Sequence, residues 1–250
     1  MRTCRLLVAV LAVAASLGGA HATTARPGRD VPPSPELTSR LAEFDRVQDA
    51  IRSLSAEFTK TSANPLLREP AVSRGRILMS KPGSVLWEFR EPEEMRFLIA
   101  GDTYTGYFPE RRRAERKNIR RWSETIFRFL GLGQGSEELK KFYDISLGQP
   151  GPEMKGTYLL DLEPKKRRVR KRVDTVRLWV DARSHLPVQF AYHTSQGAEE
   201  TIRFRDVRVN PDLSAGLFTL DIPKDVAIVT GMSGLGGLGG APAPEGEEPR

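Results

Sequence analysis

Gly75-Arg76-Ile77-Leu78-Met79-Ser80-Lys81-Pro82-Gly83-Ser84-Val85-Leu86-Trp87-Glu88-Phe89 is the stretch on which the fold turns. Two apolar-alternating runs flank Lys81-Pro82-Gly83, and Pro followed by Gly predicts the two central positions of a type II turn. Side chains alternate across a strand, which puts Ile77 and Met79 on one face and Leu78 on the other. Beyond the turn, Val85, Trp87 and Phe89 share a face, with Leu86 opposite. One side of the hairpin therefore carries an unusually large apolar load. It is either core or the wall of an apolar cavity, and that choice decides the function.

Strand patterns extend from the hairpin in both directions. Leu54-Ala56-Phe58 precedes it, and Met95–Ala100 and Thr103–Phe108 follow. Further runs are 142–147, 157–162, 175–180, 188–193 and 200–209, with 218–222 and 226–229 closing the series. Turn signals fall between them at Gly101-Asp102, Pro150-Gly151-Pro152, His185-Leu186-Pro187, Gln196-Gly197 and Asn210-Pro211-Asp212. Short strands without intervening helices predict an antiparallel sheet rather than βαβ units. With roughly ten strands, such a sheet curls or closes. Several strands are apolar on both faces, as in Thr157-Tyr158-Leu159-Leu160-Asp161-Leu162 and Leu178-Trp179-Val180. A sheet wet on one side alternates more cleanly. Two architectures fit: a sheet covered by helices on one face and another layer on the other, or a curved sheet whose concave face holds a ligand.

Helical periodicity is clearest upstream. Leu37, Leu41, Phe44, Val47, Ile51 and Leu54 recur at spacings of three and four and draw one apolar stripe. Ser34 is placed to cap this helix and Pro35 fits its first turn. A second, shorter helix is expected over Trp122–Leu132, with Trp122, Ile126, Phe129 and Leu130 near one face. Gly131, Gly133 and Gly135 end it, either as a lid hinge or as a plain helix stop.

Residues 1–22 read as a secretory signal: Arg2 and Arg5 precede an apolar run from Leu6 to Leu17, and Ala20-His21-Ala22 places cleavage before Thr23. The run is too short for a membrane helix, and no later segment reaches that length. The only cysteine, Cys4, lies before it. Its removal argues against a lipid-anchored mature N-terminus and against disulfides. Residues 23–35 read as a flexible leader and 231–250 as a disordered Gly/Pro-rich tail. That leaves 36–230 as one domain with a substantial core. The formal charge of +7 becomes +5 without Arg2 and Arg5 and favours anionic surfaces.

Catalytic constellations are scarce. After processing, histidine is limited to His185 and His193. On one strand these would lie roughly 26 Å apart at ~3.3 Å per residue, too far to share a metal. No Gly-x-Ser-x-Gly elbow, Gly-rich phosphate loop or His-Glu-x-x-His pattern occurs. The pairs Glu93-Glu94, Glu137-Glu138 and Glu199-Glu200 read as solvated faces. No catalytic or metal-ligating residue is therefore nominated. Lys165–Arg172 carries seven positive charges in eight residues, and Arg111-Arg112-Arg113 forms a second cluster. Export argues against nucleic acid as the partner. An exposed hairpin loop is the simplest reading of the longer run. A docking patch for anionic headgroups or an acidic partner is the alternative.

These residues resemble the LolA-type periplasmic carriers of outer-membrane lipoproteins over roughly 37–229. The opening helix leading into Phe58-Thr59-Lys60, and Gly75–Phe89 followed by Pro92, are similar to that family's first elements. So are Leu98-Ile99-Ala100-Gly101-Asp102-Thr103 through Tyr107-Phe108-Pro109, Asp181 with Leu186-Pro187, and Thr201–Val207. Asn210-Pro211, Phe218 and Ile222-Pro223 complete the order. The resemblance implies a mainly β fold with α elements: an unclosed antiparallel β-barrel, a strongly curved sheet, with helices covering an apolar cavity. It implies a monomeric periplasmic carrier with acylated lipoproteins as cargo. Its partners would be an inner-membrane lipoprotein-releasing transporter and an outer-membrane receptor, with transient contact to membrane surfaces. No cofactor and no covalent step are involved.

On that resemblance Ile77, Met79, Val85, Trp87, Phe89, Phe97 and Ile99 line the cavity, and Lys81 lies near the lid. Two positions depart from the family pattern. Lys81 stands where an arginine helps hold the lid closed, keeping the charge without the planar fork. Val85 stands where many relatives have a bulky aromatic. Some relatives of this fold sense lipid or mislocalised lipoproteins, so a regulatory sensing module is the second reading. An exported hydrolase, the third, requires a nucleophile or metal site in the cavity.

Overall fold

The computed structural model describes residues 33–65, 68–120, 135–171, 173–194 and 197–233. It opens with helix α1 (Pro35–Ala50), whose Ser34 Oγ accepts a hydrogen bond from the Leu37 amide at 3.1 Å, with Pro35 in the first turn. The predicted stripe is only partly retained. Leu37, Leu41, Phe44 and Gln48 are the buried face of α1, while Ile51 and Leu54 lie beyond its end. Burying each of the three apolar side chains contributes about 1.5–3 kcal/mol.

Among the described residues, twelve strands form one sheet. They are β1 (Ser53–Ala63), β2 (Ala71–Ser80), β3 (Ser84–Glu91), β4 (Met95–Ala100), β5 (Thr103–Phe108) and β6 (Arg113–Asn118). The second half comprises β7 (Tyr143–Gly148), β8 (Thr157–Pro164), β9 (Val173–Asp181), β10 (Pro187–Thr194), β11 (Glu199–Val209) and β12 (Ala227–Thr230). The order is β12-β6-β5-β4-β3-β2-β1-β11-β10-β9-β8-β7, so the sheet is unclosed, with β12 and β7 at its edges. Two antiparallel meanders are welded by the β1–β11 pairing, which runs from Leu54↔Val209 to Ala63↔Glu199. Among the described residues two short α-helices follow, α2 (Ser136–Lys140) before β7 and α3 (Arg167–Arg170) between β8 and β9.

Three sequence expectations change here. The hairpin loop is not a type II turn: Lys81–Pro82 is cis, and Gly83 lacks the positive φ which that turn demands. Residues 218–222 form no strand. A 3-10 turn spans Ala215–Phe218, and Leu213, Leu217, Phe218 and Leu220 pack over Leu78, Leu86 and Leu98. The strands beneath already have both hydrogen-bonding neighbours, so the segment can only cover them. That cover explains why β2, β3 and β4 are apolar on both faces. Last, β12 joins β6 in parallel, whereas the other pairs are antiparallel. β6 itself was illegible, since its alternation is carried by charged residues and Ala114.

The packed region continues past residue 230. Met232 is buried with the hydrophobic core, and the Ser233 amide and hydroxyl donate to Glu115 at 2.7 and 2.6 Å. Glu115, 1% exposed, also accepts from Arg113 at 2.9 Å. The short helix expected over 122–132, its Gly131 and Gly133, Arg172 and Gln196 lie outside the described residues, as do 1–32 and the tail from 234.

The α1–β1 corner is clasped by Asn210, held at φ 55°. Its Oδ1 accepts from the Arg52 and Ser53 amides at 2.7 and 3.2 Å, and its Nδ2 donates to the Ala50 carbonyl at 3.0 Å. Alanine there loses all three bonds and retains a left-handed backbone that a Cβ disfavours. Because the site is exposed, Asn210→Ala is expected to cost about 1–2 kcal/mol in urea unfolding with an unchanged slope. A loss under about 0.5 kcal/mol would contradict the clasp.

Candidate functional site: an apolar inner face

Register pairs build the site strand by strand. Ile77 faces Trp87, Trp87 faces Phe97 and Phe97 faces Gly106, extending the row that begins at Ala56 and ends at Glu115. A neighbouring row runs Leu54, Met79, Val85, Ile99 and Tyr104, and another Phe204, Phe58, Gly75 and Phe89. Residues two apart on a strand share a face, so the three rows lie on the same side of the sheet. The structure thus brings Ile77, Met79, Val85, Trp87, Phe89, Phe97 and Ile99 together in one apolar cluster. Ile51, Leu54, Ala56, Phe58, Tyr104, Phe108, Ile119, Ile202, Phe204 and Met232 complete it.

Aromatic rings form the middle of this cluster. Phe58 meets Trp87 and Phe89 edge-on at 4.9 and 5.0 Å between centroids. Phe97 meets Phe89 and Phe108 edge-on at 5.7 and 5.6 Å. Such pairs add about 0.5–1.5 kcal/mol beyond their area. Gly75 makes the Phe58 contact possible: a Cβ built on it would overlap the Glu88 carbonyl and lie 2.9 Å from the Phe58 ring. Sequence reading missed Phe58, Tyr104, Phe108, Phe204 and Met232 as members. The alternation of Phe58 with Ala56 and of Tyr104 with Gly106 carried the signal for the strand residues. Met232 had none, standing in a Gly-rich stretch.

A second apolar cluster covers the other half of the same sheet. Leu160, Leu162, Val176, Leu178, Val180 and Tyr192 pack there with Leu37, Leu41 and Phe44 of α1, and Phe190 touches both clusters. α1 therefore lies over the β7–β10 half. α2 is tied to it by Asp45, whose carboxylate accepts from the Ser136 amide and, at 2.7 Å, from the Ser136 hydroxyl.

Polar groups rim the first cluster. Lys60 pairs with Glu200 at 2.9 Å, and Ser62 Oγ donates to Glu200 at 2.5 Å. At another margin the Lys81 ammonium donates to the Gln48 carbonyl at 2.9 Å. A cation near the last carbonyls of a helix also meets the negative end of its dipole. Lys81 thus ties the hairpin to the C-terminal turn of α1. Burial pushes its pKa below the ordinary lysine value, with nearby Asp49 opposing. A lysine lowered on folding holds fewer protons folded than unfolded, so its contribution to stability rises with pH towards 10.5. Wild type is accordingly expected to gain thermal midpoint relative to Lys81→Met as pH climbs through the alkaline range. A difference flat with pH would contradict this environment.

Neither histidine joins the cluster. His185 Nδ1 sits 3.4 Å from Tyr158 Oη, and His193 lies 3.5 Å from Glu199. Burial pushes the Tyr158 phenol up to about 12, leaving a neutral hydroxyl. Among the described residues no group of three or more His, Cys, Asp or Glu could hold a metal, and no helix is long and apolar enough to cross a membrane. Several charges of the basic runs have partners. Arg111 makes two bonds to Glu93 at 2.7 Å, and Arg112 pairs with Asp225. In the α3 turn Lys165 lies 3.6 Å from Asp144, Arg170 lies 3.9 Å from Glu163, and Lys166 lies over the Phe142 ring.

An unclosed, largely antiparallel sheet with helices packed on it and an apolar face is the fold of the LolA-like class. The chain belongs to the family described as outer membrane lipoprotein carrier protein LolA, whose model matches residues 49–221. That is a family of carriers, not of enzymes. A protein described as outer-membrane lipoprotein carrier protein, from Chromobacterium violaceum, is 25% identical over 200 residues, 79% of this chain and 91% of its own. An uncharacterized conserved protein from Thermus thermophilus has a similar fold, with a TM-score of 0.50, 13% identity, and coverage of 78% of this chain and 99% of that one. A LolA superfamily protein from Nitrosomonas europaea aligns with a TM-score of 0.38 and 14% identity over 73% of this chain and 97% of its own.

Proposed function

We propose that this protein is a periplasmic carrier which takes the acyl chains of lipoproteins onto its apolar inner face and moves them from the inner to the outer membrane. The observation carrying the reading is the convergence of Ile77, Met79, Val85, Trp87, Phe89, Phe97 and Ile99 into one cluster on an unclosed sheet. Each methylene kept from water is worth ~0.8 kcal/mol, so acyl chains cannot cross an aqueous compartment unshielded. Unloaded, the cluster closes on itself; loading exchanges side-chain contacts for chain contacts. Met79 and Met232 suit that exchange because methionine repacks readily. Lys81, bonded to the end of α1, is the residue we assign to the lid.

An inner-membrane lipoprotein-releasing transporter would load the cargo and an outer-membrane receptor would accept it. The carrier acts as a monomer without cofactor, touches membrane surfaces transiently and does not bind nucleic acid. Export by the segment 1–22 places it in the periplasm. The test is release: added to spheroplasts, the purified protein is expected to carry acylated lipoproteins into the soluble fraction. Failure to solubilise any lipoprotein would overturn the proposal.

A further inference from the structure

Trp87 occupies the middle of the inner face, between Ile77 and Phe97 in register, and is 2% exposed. Its indole nitrogen is completely covered and, among the described residues, meets no hydrogen-bond acceptor. An indole N–H is a donor only, and buried donors almost always find a partner. The neighbours explain why this one does not. Phe58 lies 4.9 Å away edge-on, Phe89 stacks at 6.5 Å and Phe204 is tilted at 6.5 Å, so aromatic rings surround the indole. Leaving such a group unpaired carries a desolvation penalty, which a phenylalanine at the same place would avoid. A donor held inside an apolar face at this cost is free to meet an acceptor that arrives with an apolar ligand.

Acyl lipids bring one such acceptor: each ester-linked chain joins its headgroup through a carbonyl, a neutral acceptor that enters with the first methylenes. We infer that the Trp87 N–H is the cargo-recognition donor of this face and donates its hydrogen bond to the ester carbonyl of an acyl chain. The inference rests on the carrier reading and deepens it. The apolar rows bind hydrocarbon of any kind, while Trp87 distinguishes an acyl chain from an alkyl one and fixes how deep its first carbons lie. Trp179 supplies an internal control. Its indole nitrogen is also without an acceptor, but it packs with Met154, Leu159 and Ala191, apart from the inner-face cluster.

The experiment compares binding of a dipalmitoyl ester phospholipid with its dihexadecyl ether analogue, which has nearly the same hydrocarbon and no carbonyl. Wild type is expected to bind the ester about fivefold more tightly, the ~1 kcal/mol of a neutral hydrogen bond taken at 1.4 kcal/mol per tenfold. Trp87→Phe abolishes the preference, Trp179→Phe retains it, and the Trp87 indole proton resonance moves downfield with the ester alone. Equal binding of ester and ether by wild type overturns the inference and leaves the carrier reading intact. A preference that survives in Trp87→Phe overturns the assignment to this residue. Binding of neither lipid overturns the carrier reading and the inference with it. Because the wild-type ratio needs no variant, misfolding of Trp87→Phe cannot shelter the claim.

Discussion

Gly75→Ala is expected to lower stability by about 3 kcal/mol, the upper end of what one methyl group forced into a packed site costs. The reason is local and severe. The added Cβ would overlap the Glu88 carbonyl across the β2–β3 ladder and press on the Phe58 ring at 2.9 Å. Neither the carbonyl, which belongs to a paired strand, nor the ring, clamped by Trp87 and Phe89, can retreat. A denaturant midpoint shifted strongly downward would bear this out. A change below about 1 kcal/mol would mean that β2 and β3 slide apart easily, contrary to a well-packed interior.

Trp87→Glu is expected to remove lipoprotein release entirely and to destabilise the domain by several kcal/mol at neutral pH. A carboxylate placed in a ring-lined site that is 2% exposed has no partner and must be protonated or expelled. Burial raises such a carboxyl group above its unfolded value, so the folded state binds the proton more tightly. The variant is therefore most stable at acid pH and loses stability as pH rises through the raised value. Stability measured across pH separates this burial penalty from simple loss of the indole, which Trp87→Leu would show without the pH slope. A pH-independent loss would place the side chain in contact with water.

Much of this was legible in the hairpin itself. Ile77 and Met79 share a face, as do Val85, Trp87 and Phe89, because side chains alternate along a strand; the β2–β3 register puts the two sets on one side, and register with β4 adds Phe97 and Ile99. The sequence left open whether double-sided apolarity meant a second layer or a cavity. Leu78, Leu86 and Leu98 answer for the outer face, where the 213–220 segment covers them. Within it and just beyond, residues 218–222 alternate as a strand would, but pairing partners are a property of the sheet rather than of the segment. β6 was unreadable for the opposite reason. Glu115 is buried by its bonds to Arg113 and Ser233, contacts that no periodicity announces. The parallel seat of β12 and the burial of Met232 are likewise decided by a distant edge.

Whether acyl chains occupy the inner face of the sheet is decided by crosslinking with a photoactivatable fatty acyl chain, mapped by peptide mass spectrometry. Adducts are expected on Ile77, Met79, Trp87, Phe89, Phe97 and Ile99. Adducts confined to the exposed apolar side chains Val72, Val209, Ile228 and Val229, with the inner face unlabelled, would contradict a carrier that loads its cargo there.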